Sequence, residues 1–235
     1  MIHRSRTSLL VAAAACALAS ATFAQNKPAE PARGDKPAAA QPARANDRMG
    51  DAYTLPTCPI SGEPLGGMGD AVVKAYDGRE VRFCCDKCVA GFEKDKAGSW
   101  AKVDQQMIKD QLPRYPLDTS VVSGKKLDKP VDYVWNNRLV RLAGEDEKAE
   151  FLKDTKKYIA ALDKAVVEKQ SKTYALKTCP MMGDPIDPSD FKTVVVANRL
   201  IEVCCGKCQG KVKRDPTKAL AALDAAEAKT PAGGK

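Results

Sequence analysis

One line of residues occurs three times. Tyr53-Thr54-Leu55-Pro56-Thr57-Cys58, Tyr115-Pro116-Leu117-Asp118-Thr119-Ser120 and Tyr174-Ala175-Leu176-Lys177-Thr178-Cys179 align without a gap, and each is followed four residues later by a glycine, Gly62, Gly124 or Gly183. An internal period of this kind constrains the fold more than composition does, because every copy must build the same small unit and bury its apolar face against a neighbour. After each glycine comes a hairpin signal, two β-rich runs around Asp77-Gly78, Asn136-Asn137 or Ala197-Asn198. Gly and Asn at these turns tolerate the positive φ of a tight primed turn. The return strands alternate, so Val81 and Phe83, Val140 and Leu142, and Ile201 and Val203 each share one face.

The period then changes from strand to helix. A short helix is predicted in each copy, with Phe92, Phe151 or Val212 at the matched position. A longer amphipathic helix follows, marked by Trp100, Val103, Met107 and Ile108 in the first copy. Phe151, Tyr158, Ile159, Leu162 and Val166 mark the second, and Leu220 and Leu223 the third. Asp215-Pro216 reads as a cap followed by proline at the first helical position. Tyr53, Tyr115 and Tyr174, at recurring scaffold positions, are expected to pack at the unit starts. The fold class is therefore α+β, three tandem hairpin-plus-helix units of about 55 residues.

On that scaffold sit eight of the nine cysteines, in two copies of one pattern. Cys58 is followed by Cys84, Cys85 and Cys88 with spacing C-x25-C-C-x2-C, and Cys179 by Cys204, Cys205 and Cys208 with spacing C-x24-C-C-x2-C. Cysteines three and four apart at a helix start lie on one face, where exposed N–H groups and the helix dipole favour the thiolate that binds metal. Lys87 and Lys207 add positive charge. The middle copy has Ser120, Ala143, Gly144 and Glu147 in place of the thiols. Losing all four together marks them as one working unit.

The start of the chain reads as an export signal. Arg4 and Arg6 precede an apolar run from Leu9 to Leu18, and small residues then lead to a cleavage site after Ala24. That run is too short to span a bilayer. Cys16 as a lipid-modified cysteine is a lesser alternative, because Ala13 stands where a lipoprotein signal has leucine. Cleavage removes Arg4, Arg6 and no acid, lowering the formal charge from +8 to +6. It also removes His3, the only histidine, and with it any Ser-His or Cys-His pair and any imidazole ligand. Neither a phosphate-binding glycine loop nor a G-x-S-x-G elbow is present. The lysines are interspersed with acids, which fits a solvated surface rather than a nucleic-acid interface.

Cys-Pro-x-x-Gly, a strand pair, then Phe-Cys-Cys-x-x-Cys with an aromatic four residues on resembles the TRASH and YHS families of small metal-binding domains. The resemblance covers residues 53–97 well, 174–215 moderately, and 115–151 only as scaffold. It implies treble-clef-like units with a soft metal held between the Cys-Pro knuckle and the helix start. Cys58, Cys84 and Cys88, then Cys179, Cys204 and Cys208, are the implied ligands, with Cys85 and Cys205 as adjacent candidates. Many YHS domains carry a second knuckle cysteine where this chain has Ser61 and Met182, which leaves the fourth ligand open.

Thiolate sites suit zinc, or copper(I) at lower coordination with the Met182 thioether joining. Met182, with Met68, Met107 and Met181, reads more simply as apolar packing. Two other readings of the thiols stand beside metal binding. In an oxidising compartment they form structural disulfides, and the chain is then a stapled repeat that binds an envelope protein partner. As Cys85-x-x-Cys88 and Cys205-x-x-Cys208, they exchange disulfides. The organisation expected is a signal peptide over 1–24, a Pro/Ala-rich linker over 25–51, a unit with a cysteine site over 52–112, a degenerate unit over 113–172, a second cysteine-bearing unit over 173–226, and a flexible tail over 227–235. The expected product is a periplasmic or secreted, non-enzymatic metal binder without stable membrane insertion.

Overall fold

The turns decide where the strands pair. In the computed structural model, which describes residues 48–67 and 69–229, Asp77 and Gly78 take φ of +52° and +79°, Asn136 and Asn137 +42° and +71°, and Ala197 and Asn198 +49° and +57°. Two successive left-handed residues make the primed turn whose twist matches antiparallel strands. Each turn closes a hairpin of two five-residue strands: β1 (Val72–Tyr76) with β2 (Arg79–Phe83), β3 (Val131–Trp135) with β4 (Arg138–Leu142), and β5 (Lys192–Val196) with β6 (Arg199–Val203). Register is the same in all three, with Val72 opposite Phe83, Val131 opposite Leu142 and Lys192 opposite Val203. The signal segment, Cys16, most of the linker, Met68 and the tail beyond Lys229 lie outside the described residues.

A short and a long helix follow each hairpin: α1 (Asp86–Lys94) and α2 (Lys96–Gln111), α3 (Asp146–Lys153) and α4 (Thr155–Gln170), α5 (Gly206–Arg214) and α6 (Thr217–Glu227). An aspartate makes the break between them each time. Asp95 Oδ1 accepts the Gly98 N–H at 3.0 Å, Asp154 Oδ1 accepts that of Lys157 at 3.0 Å, and Asp215 Oδ1 accepts that of Thr217 at 3.1 Å. Asp95 and Asp154 cap α2 and α4 in this way, ending one helical run and starting another, while Asp215 makes its bond from one residue before the Pro216 cap of α6. Helix α6 begins at Thr217, one residue later than the Asp215-Pro216 reading places it.

Each hairpin and its helices enclose a core. Phe92, fully buried, meets Tyr76, Phe83 and Trp100 at centroid distances of 5.0–5.3 Å. Phe151 occupies the same place among Tyr133, Trp135 and Tyr158, and Val212 packs with Ile201, Val203, Leu220 and Leu223. Tyr53 and Tyr115 are buried as predicted, while Tyr174 is half-buried with its hydroxyl on the Glu202 backbone.

Polar side chains repeat with the same period and join the units. Arg79, Arg138 and Arg199, the first residues of β2, β4 and β6, bind Asp104, Asp163 and Asp224 on their own long helices. Gln111, at the end of α2, donates to the Asn137 carbonyl and accepts the Leu139 N–H, both at 2.9 Å. Gln170, at the end of α4, holds the Asn198 carbonyl and the Leu200 N–H at 2.8 Å each. In return the Asn137 amide donates to the Glu80 carbonyl, and the Asn198 amide to that of Leu139. The helix end of each unit thus grips the turn of the next, and both asparagines are fully buried.

Residues 48–51, assigned to the flexible linker from composition, are instead part of this network. Asp51 accepts Arg138 Nε at 2.6 Å and the Ala197 N–H at 2.6 Å, and its own N–H donates to the Asn136 carbonyl. The Ala197 bond helps hold a left-handed alanine, a conformation that costs about 1–2 kcal/mol. Arg48 pairs with buried Glu80 and donates to the Lys213 and Arg214 carbonyls, and Arg82 reaches Asp215 and Thr217. These bonds tie the first unit to the third. Composition could not show this, because the segment is held by charge and not by apolar burial. At the other end Glu227, the first residue of the expected tail, is the last residue of α6 and pairs with Arg199.

Candidate metal centre

Two elements bring the thiols together. The first is a knuckle in which the Cys58 N–H donates to the Glu63 carbonyl at 2.8 Å and the Gly62 N–H donates back to the Cys58 carbonyl at 2.9 Å. Gly62 has φ of +77° and its counterparts Gly124 and Gly183 have +72° and +85°, so the glycine of the repeat is required by a left-handed turn. Cys179 and Ser120 make the same pair of bonds. The second element is the strand-to-helix step. Cys84 follows β2 directly, Cys85 stands in extended conformation at the N-cap of α1, and Cys88 lies in the first turn. Cys204, Cys205 and Cys208 repeat the step between β6 and α5.

The sulfur atoms of Cys58, Cys84 and Cys88 lie within 4.8 Å of one another, as do those of Cys179, Cys204 and Cys208. Each triad can hold one metal ion. Cys85 and Cys205 fall outside those two groups, yet Cys85 Sγ is 3.9 Å from Cys84 Sγ and 3.8 Å from Cys88 Sγ, and the Cys84–Cys88 separation is 3.6 Å. Four sulfurs at roughly 2.3 Å from a tetrahedral ion stand roughly 3.8 Å apart. The spacing around Cys85 is thus that of a tetrahedral edge. In the third unit Cys204 and Cys208 stand 3.8 Å apart. All eight cysteines are free thiols, at separations well beyond the roughly 2.05 Å of a disulfide.

The thiols differ in proton affinity. Burial raises the Cys58 thiol, but N–H groups of Ser61, Cys84 and Ile60 and the Ser61 hydroxyl more than reverse this, bringing it down to about 6. Cys179 is likewise lowered against its burial by N–H groups of Cys204, Met181 and Met182. At the helix starts, the Cys88 N–H lowers Cys85 and the Cys208 N–H lowers Cys205. Burial and the neighbouring thiols push Cys88 and Cys204 up to about 12 and Cys208 to about 11. The helix start therefore favours the thiolate at its cap and not in its first turn. Lys87 and Lys207 are exposed, and Lys87 acts on Cys85 through its backbone N–H.

In the middle unit the same space is closed by a hydrogen bond. Ser120 Oγ donates to Glu147 Oε2 at 2.5 Å, and the Ala143 N–H donates to the same oxygen at 2.8 Å. Glu147 thus meets two of the other three residues that replace the thiols. Burial alone would raise the Glu147 carboxyl, but Ser120, Ser123 and the Ala143 N–H hold it below the usual range.

Two neighbours of the thiols carry information the spacing did not. Ser61 Oγ lies 3.3 Å from Cys84 Sγ. Met182, expected to pack, is 57% exposed, with its sulfur 3.7 Å from Lys211 Nζ. Met107 is fully buried, as the packing reading requires. Ser61 and Met182 both stand directly before the knuckle glycine, Gly62 or Gly183, and the alignment of the repeats is the signal that matches them. No helix among the described residues is long and apolar enough to cross a membrane. Comparison with protein-family models, with curated proteins and with solved structures returned no match.

Proposed function

We propose that this protein is an exported metal holder of the TRASH/YHS type, with treble-clef-like units one and three each binding one zinc or copper(I) ion through cysteine thiolates. It sequesters or delivers the ion, or uses it to hold the units closed, without turning over a substrate. The observation that carries this reading is the convergence of three sulfurs from sequence-distant elements, twice, to within 4.8 Å. Buried thiolates without a cation are costly, and a bound ion removes that cost. Cys85 and Cys205 are the fourth thiolates in this reading.

The test is a metal and thiol count on one sample, purified from the periplasm under anaerobic conditions. Close to two equivalents of soft metal, released together with reactive thiols, is the expected result. Less than half an equivalent, with the thiols oxidised in a folded protein, rejects it. Signal cleavage after Ala24 is checked by the N-terminal sequence of the same material.

A further inference from the structure

The first cage has three sulfurs inside and one at its edge. Cys58, Cys84 and Cys88 are 1%, 8% and 8% exposed, and their sulfurs form the group within 4.8 Å. Cys85 is half-buried and stands outside that group, its sulfur 3.9 Å from Cys84 Sγ and 3.8 Å from Cys88 Sγ. Among the four it is the one that solution reaches most easily. The middle unit, which closes without an ion, keeps a polar side chain in place of Cys58 and of Cys88, joined as Ser120 to Glu147, but has Gly144 in place of Cys85. The scaffold therefore needs no side chain at that position. Cys205 repeats the placement, half-buried at the N-cap of α5.

An ion held by thiolates reaches a new site by exchanging one sulfur for another, and the incoming sulfur must be accessible. A buried triad offers its sulfurs poorly to a donor in solution. Cys85 offers one at the surface. It is also close enough to share an ion with Cys84 and Cys88, because sulfurs about 3.8 Å apart span one edge of a tetrahedral ion.

We infer that Cys85 is the entry thiol of the first cage, taking a soft metal ion from a thiolate donor and passing it to Cys58, Cys84 and Cys88. This rests on the metal-binding reading above and gives the fourth thiolate its task. At each step one metal–sulfur bond forms as another breaks. Cys85 gives up its proton and binds the ion, while the donor thiolate leaves and takes up a proton. The triad thiols then release theirs to water as they bind, and no electron moves.

The experiment uses the full chain, reduced and metal-free under argon, mixed with copper(I) carried by glutathione. Samples are alkylated at intervals, and the protected cysteines are mapped by mass spectrometry. In Cys85→Ser, Cys58 is expected to become protected about tenfold more slowly than in wild type, and to the same final extent. Cys179 in the same molecules keeps its wild-type rate. Cys58→Ser is expected instead to hold copper(I) more weakly, by about tenfold or more in a chelator competition. Serine is a favourable N-cap residue, so Cys85→Ser keeps its helix. Cys58 protected at the wild-type rate in Cys85→Ser, or Cys179 slowed alongside it, overturns the inference. So does a Cys85→Ser protein that holds copper(I) as weakly as Cys58→Ser, since Cys85 is then a ligand like the others. A wild-type protein in which neither Cys58 nor Cys179 is ever protected instead removes the metal-binding reading itself.

Discussion

The first and second units have the same hairpin register, the same capped break between helices and the same buried phenylalanine, yet they close the mouth of the unit in opposite ways. The first brings Cys58, Cys84 and Cys88 together. The second joins Ser120 to Glu147 and Ala143. A thiol cluster needs an ion to become a cross-link, whereas a charge-assisted hydrogen bond is complete as it stands. The middle unit is therefore built to hold without metal, and it is also the unit gripped from both sides. Gln111 holds its turn, while its own Gln170 holds the turn of the third. The middle unit is closed by its own side chains, and the two units beside it in sequence carry the thiol triads that could hold an ion.

The largest expected effect is on removal of metal. A chelator under reducing conditions should strip amide protection from the starts of α1 and α5 and leave that of α3, since structural zinc contributes on the order of 10 kcal/mol in small domains. Hydrogen exchange read by mass spectrometry checks this, and equal loss in all three units would break the contrast. Next is Arg138→Ala. Arg138 is 2% exposed and bonded to Asp51, Asp163 and the Val195 carbonyl. Removing it should cost roughly 3–5 kcal/mol by leaving buried acceptors without a partner. Arg79→Ala should cost less in the same urea titration, because Arg79 is 13% exposed against 2% for Arg138.

A smaller effect is expected from Glu147→Gln, roughly 1–3 kcal/mol by loss of charged hydrogen bonds. Its sign with pH is fixed. The Glu147 carboxyl is held below its unfolded value, so its contribution is complete above about pH 4.3 and disappears as pH falls through the lower folded-state value. Wild type should lose its advantage over Glu147→Gln on acidification, and a constant gap between the two denaturation curves would contradict this. Smallest is removal of the caps. Asp95→Ala and Asp154→Ala should each cost about 1 kcal/mol, and by the same amount, because that part of the scaffold does not depend on metal. Thermal melts of the metal-loaded protein measure both.

Much of the fold was legible because the repeat turns local signals into shared ones. Asn136-Asn137 is a modest hairpin cue alone and a strong one when Asp77-Gly78 and Ala197-Asn198 stand at the same place. The apolar faces of β2, β4 and β6, and the positions of Phe92, Phe151 and Val212, follow from alternation and helical spacing. The joints between units escaped, although their signal was available: Arg79, Arg138 and Arg199 each precede an aspartate by the same interval, and Gln111 and Gln170 recur. Apolar periodicity does not register such residues, because polar side chains that bury themselves do so only where a second unit supplies the partner. For the same reason Asp51 read as tether. At the site, spacing found all eight cysteines but not their unequal protonation, which depends on which N–H groups face each sulfur.

The sequence by itself determined three like units and two sets of thiols, since turn residues, alternation and cysteine spacing act within a few residues of one another. Only the tertiary structure decided that Asp51 joins the second hairpin to the third, that Ser120 meets Glu147 where other units have sulfur, and that Met182 stays out of the core. Each of those depends on atoms far apart along the chain arriving within a hydrogen bond of one another, and packing alone sets such distances.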